Sequence, residues 1–381
     1  MNPNKVIELH RYPLMKASFL RKILLIFHSI FLIFFTRFIF ESKVFDGEKG
    51  KKYAFIKSMH RRDYDEFFDL VFSECKQNKT LINIKRKFRI NFFALRNFKE
   101  NASTYKAILA SSEVDRIYLF LSFLHYASTL KYINSLTCDV FCAFADMQPV
   151  ENYLVQIYKD MGVKTLTLQH GLFVDYSNVI NISAVSYECV VSNYFLSWGK
   201  FNKNLIDKYN PDCKVVVCGN PSIKLPNKKL GTKFFFTIML DWDVFKIYNQ
   251  ELLDIGKDIA CRTNMNFLIR FHPSNNKTIY EYSSGFLIDD SGVDFFDSLF
   301  VLGHTSSMIH VCDRLGLKVF KYYSKIPSSP FDKNRIFRDA NQLLKLINLF
   351  DNEILPSKET INIGPIGEKS LNSYRDFFKS L

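Results

Sequence analysis

The sequence predicts an α/β protein made of two parallel-sheet halves, and three observations carry that expectation. Short β-prone runs recur at 53–56, 139–145, 164–168, 233–240, 267–271 and 298–302, with helix-like stretches at 64–75, 149–158, 245–261 and 308–315 between them. That alternation is the signature of parallel sheets crossed by helices. Most of these runs are apolar on successive residues, so both faces of each strand need a cover. Leu225-Pro226-Asn227-Lys228-Lys229-Leu230-Gly231 is polar and carries both Pro and Gly, which makes it the best linker between the halves. A chain of 381 residues is long enough for two such domains.

Lys5, Arg11, Lys16, Arg21 and Lys22 precede an apolar run, Ile23 to Phe35, interrupted only by His28 and Ser29. A spanning helix needs about 20 apolar residues, and bulky Phe34, Phe35, Phe38, Ile39 and Phe40 leave no small-residue cleavage site. The expectation is an apolar N-terminal helix within a membrane-associating segment, 1–45, its basic residues facing anionic lipid on the cytoplasmic side. An uncleaved signal segment, a span stretched to Phe40 and a helix buried in the first domain are the competing readings. Polar residues 41–51 then read as a connector. The first domain is expected over 46–226, with strands at 53–56, 139–145, 164–168, 189–192, 194–198 and 214–218. The run Lys85-Arg86-Lys87-Phe88-Arg89-Ile90-Asn91-Phe92-Phe93 can grip phosphate or lipid headgroups, though a solvated helix face with a buried aromatic side suits it better. The second domain is expected over 232–330, and helices fill 331–381.

Two stretches of the second half point to chemistry. Phe267 to Phe271 is stopped by Pro273, which leaves His272 at the carboxyl end of a buried strand, the edge where open α/β sheets bind ligands. Ser298 to Leu302 opens through Gly303-His304-Thr305-Ser306-Ser307 into a helix that Gly316 ends. Free backbone N–H groups, the helix dipole and hydroxyls therefore converge there on an anion. In the first half, the strand at 164–168 delivers Gln169-His170-Gly171, an imidazole at an open strand end with the right titration range for a general base.

This layout, a His-Pro after one strand and a Ser-Ser at the helix after a later one, resembles the nucleotide-binding half of bacterial GT-B transferases. The nearest in pattern look like polysialyltransferase-type enzymes and the CDP-glycerol glycerophosphotransferases of surface-polymer synthesis. The resemblance implies two Rossmann-like domains facing across a cleft. It also implies donor phosphates held by His272, Pro273, Gly303, His304, Thr305, Ser306 and Ser307, with Gly219 and Asn220 on the opposing edge. A His-Gly in the first domain is the proposed base of the glycerophosphotransferases, and His170 matches it while His272 lies across the cleft. Gln169 and Leu172 replace that family's flanking Trp and Thr. The acidic pair and Gly of a sialyltransferase-like site has no clear first-domain counterpart; Asp289-Asp290-Ser291-Gly292 lies in the second half and is expected to border the nucleotide pocket.

The activity so implied moves a sugar or phosphopolyol from a CMP-, CDP- or UDP-linked donor to a lipid-linked or oligosaccharide acceptor of capsule, O-antigen or lipooligosaccharide type. A nucleotide-sugar epimerase and a non-catalytic glycan-assembly protein are the alternatives. Asp146, Asp175, Asp241 and Asp243 are rival bases, although an Asp at such a position more often caps a helix or shapes a turn. The net charge of +13 suits an anionic partner, and without a helix-turn-helix, zinc-finger or RNA-binding pattern a nucleotide or lipid surface fits better than specific nucleic acid. No metal-ligand spacing, Walker loop or dinucleotide fingerprint occurs, so neither a metal nor another cofactor is expected. The eight scattered cysteines read as buried thiols.

Overall fold

Two sheets, each with helices packed against it, answer the apolar continuity of the strands. The structure, a computed structural model, describes residues 2–15, 17–91, 94–130, 137–174, 188–224, 230–273, 275–282, 287, 293–350 and 359–381. The first sheet runs β1 (Thr36–Phe45), β3 (Gln77–Phe88), β2 (Glu48–Ile56), β4 (Val140–Ala143), β5 (Lys164–Leu168), β6 (Tyr194–Ser197) and β7 (Lys214–Val217) in spatial order. All neighbours are parallel except β1 and β3. The second sheet, wholly parallel, has the order β12 (Ile336–Phe337), β11 (Val319–Tyr322), β10 (Ser298–Gly303), β8 (Lys233–Met239), β9 (Asn266–Arg270). Strands β4 and β11 are buried along their whole length, as expected of strands covered on both faces. Four helices matter below: α1 (Phe19–Phe35), α2 (Arg62–Glu74), α3 (Ser307–Leu315) and α4 (Gly367–Ser380). Of the linker, residues 225–229 lie outside the described residues.

The amino-terminal segment is not a detachable anchor followed by a connector. Val6, Ile7, Leu14 and Ile33 are buried in one cluster with the helix Glu113–Leu130. Strand β1 pairs antiparallel with β3 from Thr36↔Phe88 to Phe45↔Lys79, and Phe38 stacks on Tyr126 at 5.7 Å. The polar run 41–51 is thus the end of β1 and the start of β2, joined through Asp46-Gly47, with its charged side chains exposed. The basic run from Lys85 continues β3 to Phe88 rather than forming a helix, and it leaves Phe88 and Ile90 exposed.

Residues 189–192 do not form the expected strand, because the amides of Val191 and Ser192 donate to the Asp146 carboxylate instead of a sheet neighbour. The helices of 331–381 do not form a unit of their own. The helix Ala340–Leu349 contributes Leu343 to the second core, whereas α4 crosses back and buries Tyr374, Phe377 and Phe378 in the first. Tyr53 Oη donates to the Phe378 carbonyl (2.7 Å), and Ser370 Oγ donates to the Cys218 carbonyl (2.8 Å).

Candidate active site

The carboxyl ends of both sheets meet at a cleft holding a cavity of about 400 Å³, lined from the first half by Arg61, Tyr64, His170, Trp198 and Asn220 and from the second by Ser307, Met308 and Val311. Each side arrives by a different local mechanism.

In the first half β5 ends at Leu168, and the next residue, Gln169, is fully buried. Its Oε1 accepts from Trp198 N (2.7 Å) and Ser197 Oγ (3.0 Å), while Nε2 donates to Asn202 Oδ1 (2.6 Å) and the Gly171 carbonyl (2.7 Å). Four bonds from one amide fix the turn that presents His170, which accounts for Gln rather than Trp at this position. The His170 imidazole is half-buried among the rings of Tyr64 (5.3 Å), Phe144 (5.6 Å) and Phe173 (5.2 Å). Its Nδ1 has no hydrogen-bond partner. Burial, with a smaller contribution from nearby Arg61, lowers its pKa to about 4, so it is neutral at pH 7. A Cβ on Gly171 would make only an ordinary contact with Phe173, so packing does not demand that glycine.

Trp198 and Arg61 were not singled out from the sequence. The Trp198 Nε1–H is buried, lines the cavity and has no partner. Arg61 stands just past β2 at the start of α2, its guanidinium 3.8 Å from the Tyr64 ring centre and bonded twice to Asp63 (2.6 Å each). It lowers the pKa of both His170 and His272, which puts its charge near both imidazoles. The signal that could have found it is the one that found His170: a polar residue past the carboxyl end of a buried parallel strand.

In the second half Gly303 ends β10 where a Cβ would come within 2.4 Å of Ile309, so only glycine lets α3 start so close to the strand. Ser306 caps α3, its Oγ accepting from Met308 N at 3.3 Å. Ser306 and Ser307 are part-exposed at the helix start, and Ser307 lines the cavity opposite His170. His304 and Thr305 do not join them at the surface. Both are buried, with His304 Nε2 bonded to Asn249 Oδ1 (2.8 Å), Nδ1 facing Thr305 Oγ1 (2.9 Å), and Thr305 Oγ1 donating to Asp241. Asn249 Oδ1 also accepts from Asp241 N (3.0 Å) and its Nδ2 donates to the Asp241 carbonyl (2.8 Å). That orientation puts the hydrogen on His304 Nε2. The pair therefore braces the turn from which α3 starts. Past β9, His272 is half-buried and edge-on to Trp242 at 5.8 Å, and Pro273 is exposed. Burial lowers the His272 pKa and Arg61 adds to this, while Asp241 opposes it.

The remaining candidates have structural tasks. Asp146 is fully buried, and its Oδ2 accepts from Val191 N, Ser192 N and Ser192 Oγ at 2.8–2.9 Å. It does not line the cavity. Gly219 has φ +83, and a Cβ there would lie 1.9 Å from the Pro365 carbonyl. It admits the chain returning to α4, and Asn220 N donates to that same carbonyl (3.0 Å) while the residue itself lines the cavity. Asp175 and Asp289-Asp290-Ser291-Gly292 lie outside the described residues. Asp243 accepts from Tyr280 Oη at 2.7 Å. Among the described residues no three His, Cys, Asp or Glu side chains converge as a metal site would need.

Two parallel sheets joined at a cleft by their carboxyl ends define a GT-B-like architecture. The chain is similar to UDP-N-acetylglucosamine 2-epimerase from Rickettsia bellii, with a TM-score of 0.50, 12% identity, and coverage of 87% of this chain and 94% of that one. It also aligns with a variant of the wall teichoic acid polymerase TagF (TM-score 0.41, 11% identity, 87% and 89% covered). A third alignment is with the calicheamicin glycosyltransferase CalG4 (TM-score 0.42, 8% identity, 87% and 95% covered). At 12% identity the likeness to the epimerase speaks to the fold alone, and nothing is argued from the other two. No protein-family model matches the sequence, and no curated protein matches it.

Proposed function

We propose that the chain is a metal-independent glycosyltransferase that moves a sugar, or a sugar-like phosphopolyol, from a CMP-, CDP- or UDP-linked donor onto a surface glycan acceptor. One observation carries the reading: a neutral imidazole with a spare nitrogen, His170, faces the amino terminus of α3 at Ser307 across one cavity. The helix start supplies amide donors and a positive dipole end for the donor's diphosphate. His272 and Arg61 supply a hydrogen bond and a charge as the leaving phosphate gains negative charge. His170 takes the proton of the acceptor hydroxyl. Bound diphosphate nearby raises the imidazole pKa from its low resting value toward neutrality, where a base is most effective.

Thermal stabilisation of the purified chain by UDP, CMP, CDP and GDP tests the nucleotide claim, since a ligand of the native state raises apparent stability. The reading fails if none of them shifts the midpoint. A second reading, a nucleotide-sugar epimerase, is favoured by the likeness to the 2-epimerase. Incubation with a UDP-sugar in the absence of acceptor separates the two, because an epimerase interconverts it and a transferase leaves it intact.

The same proposal puts the enzyme on the inner face of the cell membrane, at a lipid-linked acceptor. Leu20, Leu24, Phe27, Phe31 and Phe35 form an exposed stripe along α1 at helical spacing, continued by Phe88, whose ring stacks on Phe35 at 6.1 Å. Exposed Arg86, Lys87 and Arg89 flank it, the charge that anionic headgroups attract. No helix among the described residues is long and apolar enough to cross a membrane. Leu24→Glu with Phe27→Glu is expected to abolish sedimentation with phosphatidylglycerol vesicles at unchanged thermal midpoint; full retention on the vesicles counts against the membrane assignment.

A further inference from the structure

Glu151 is a fully buried carboxyl group that no step above uses. It stands in the first turn of the helix Pro149–Asp160, where a glutamate ordinarily faces solvent and complements the helix dipole. Here it turns inward and meets three donors. Oε1 accepts from Ser58 N (2.7 Å) and Ser58 Oγ (2.6 Å), and Oε2 accepts from Ala145 N (2.6 Å). Three donors on two oxygens match an ionised carboxylate, which only accepts, and a charge taken out of water is tolerated only where such bonds answer it.

The two ends of this contact belong to different strands. Ala145 follows β4 and Ser58 follows β2, and these strands are neighbours in the first sheet. Glu151 therefore ties two loops together at the carboxyl edge of that sheet, the edge that faces the cleft. Residues 57–61 lead from β2 into α2, and none of them is buried. Phe67, Phe68 and Val71 fix the body of α2 in the first core, but the path of the loop before it is set by polar contacts. Lys57 pairs with Asp65, and Ser58 bonds the loop to Glu151. Three residues further on, Arg61 lines the cavity, its guanidinium against Tyr64 and Asp63.

We infer that Glu151 is a positioning residue for the cleft: its carboxylate fastens the loop 57–61 to the end of β4 and thereby sets where Arg61 stands. The inference rests on the nucleotide-donor reading above, in which Arg61 supplies charge to the leaving phosphate. Calorimetric titration of the full chain with UDP, CMP, CDP and GDP tests it, on the wild type, Glu151→Gln, Arg61→Met and the double variant. The titrations run at pH 8, above the Glu151 pKa, which burial and nearby Asp146 raise to about 7, and hydrogen exchange over residues 57–61 is read on the same proteins. Arg61→Met is expected to weaken the preferred nucleotide about tenfold, the scale of a lost charge-assisted bond. Glu151→Gln sets an amide N–H against one of the three donors. It should speed exchange over 57–61 and weaken the same nucleotide about threefold or more, yet cause no further loss in the Arg61→Met background, since residues acting through one group are not additive. Equal losses of affinity in both backgrounds would make Glu151 a purely structural carboxylate and overturn the inference. Unchanged exchange over 57–61 in Glu151→Gln overturns it too, as does wild-type affinity in either single variant. If Glu151→Gln does not fold, Ser58→Ala carries the same cycle, because it deletes one bond of the three. A wild type that binds none of the four nucleotides removes the donor reading and this inference with it, a result read before any variant is made and so distinct from a failure of the loop contact.

Discussion

His170 and His304 occupy matching places, one in each half, just past the end of a buried parallel strand at the cleft, yet they are held in opposite ways. His304 spends both ring nitrogens on Asn249 and Thr305. His170 is walled by three aromatic rings and keeps Nδ1 unspent. The first histidine's bonds go into building the turn from which α3 starts, and the second has capacity left for a ligand. Spare hydrogen-bonding capacity separates the candidate base from the brace when strand-end position does not.

The widest test of how the halves are built is deletion of residues 1–40. It removes buried Val6, Ile7, Leu14 and Ile33 and half of the β1–β3 pairing. The expected outcome is loss of cooperative unfolding and of near-ultraviolet circular dichroism for the first half, not release of a folded soluble protein. A folded, monomeric product would return the segment to the status of a removable anchor.

The two histidines are separated by alanine substitution. His170→Ala should lower turnover by about a hundredfold to ten-thousandfold, the usual contribution of a general base, with donor affinity retained. His304→Ala should cost stability, about 1–3 kcal/mol for buried partners left unpaired, and weaken donor binding through a loosened seat. Single-turnover rates and nucleotide titrations on both variants read the difference. Full activity of His170→Ala would end the comparison.

Acid adds a third view. Burial lowers the pKa values of His125 and His310 to about 3 and that of His304 to about 4. Below pH 6.5 the unfolded chain takes up protons at these residues and the native chain does not, so native stability falls as pH falls. Each contributes a loss of about 1.4 kcal/mol per pH unit between 6.5 and its native value. Denaturant midpoints at pH 7, 6 and 5 should drop progressively, and His310→Gln should flatten the slope by about one proton.

The last test concerns the proposed anion seat at Ser306 and Ser307. Ser306→Ala with Ser307→Ala should weaken donor binding by about 1.5–3 kcal/mol for each charge-assisted bond lost. The Ser306 change also removes the cap of α3, about 1 kcal/mol of stability. A folded double variant with wild-type nucleotide affinity would leave the backbone amides as the whole of the seat.

Most strands and the two-sheet plan were legible because a strand buried on both faces leaves a continuous apolar run, as from Val140 to Ala145 and from Leu299 to Leu302. His170, His272, Ser306 and Ser307 were legible by the same logic, as the polar residues where such runs end. The depth of His304 and Thr305 was not, since it is set by Asn249 and Asp241, far away in sequence. Asp146 reads as a strand-end carboxylate until the amides of Val191 and Ser192 close around it. The amino-terminal run misled because one apolar helix can serve a core on one face and leave Leu24 and Phe27 exposed on the other. Trp198 and Arg61 acquire meaning only from the cavity they share.

The return of α4 to the first half bears on how the protein is made. Synthesis generally lets an amino-terminal domain finish folding while the rest of the chain is still on the ribosome. Here the first core contains Tyr374, Phe377 and Phe378, and the Tyr374 hydroxyl donates to the Gly219 carbonyl at 3.2 Å. Until residues 367–380 emerge, the nascent first half carries an uncovered apolar face, while the second sheet, β8 to β12, has all its strands. The second half is therefore set to consolidate first, and the first half, though translated earlier, keeps that face uncovered for longer.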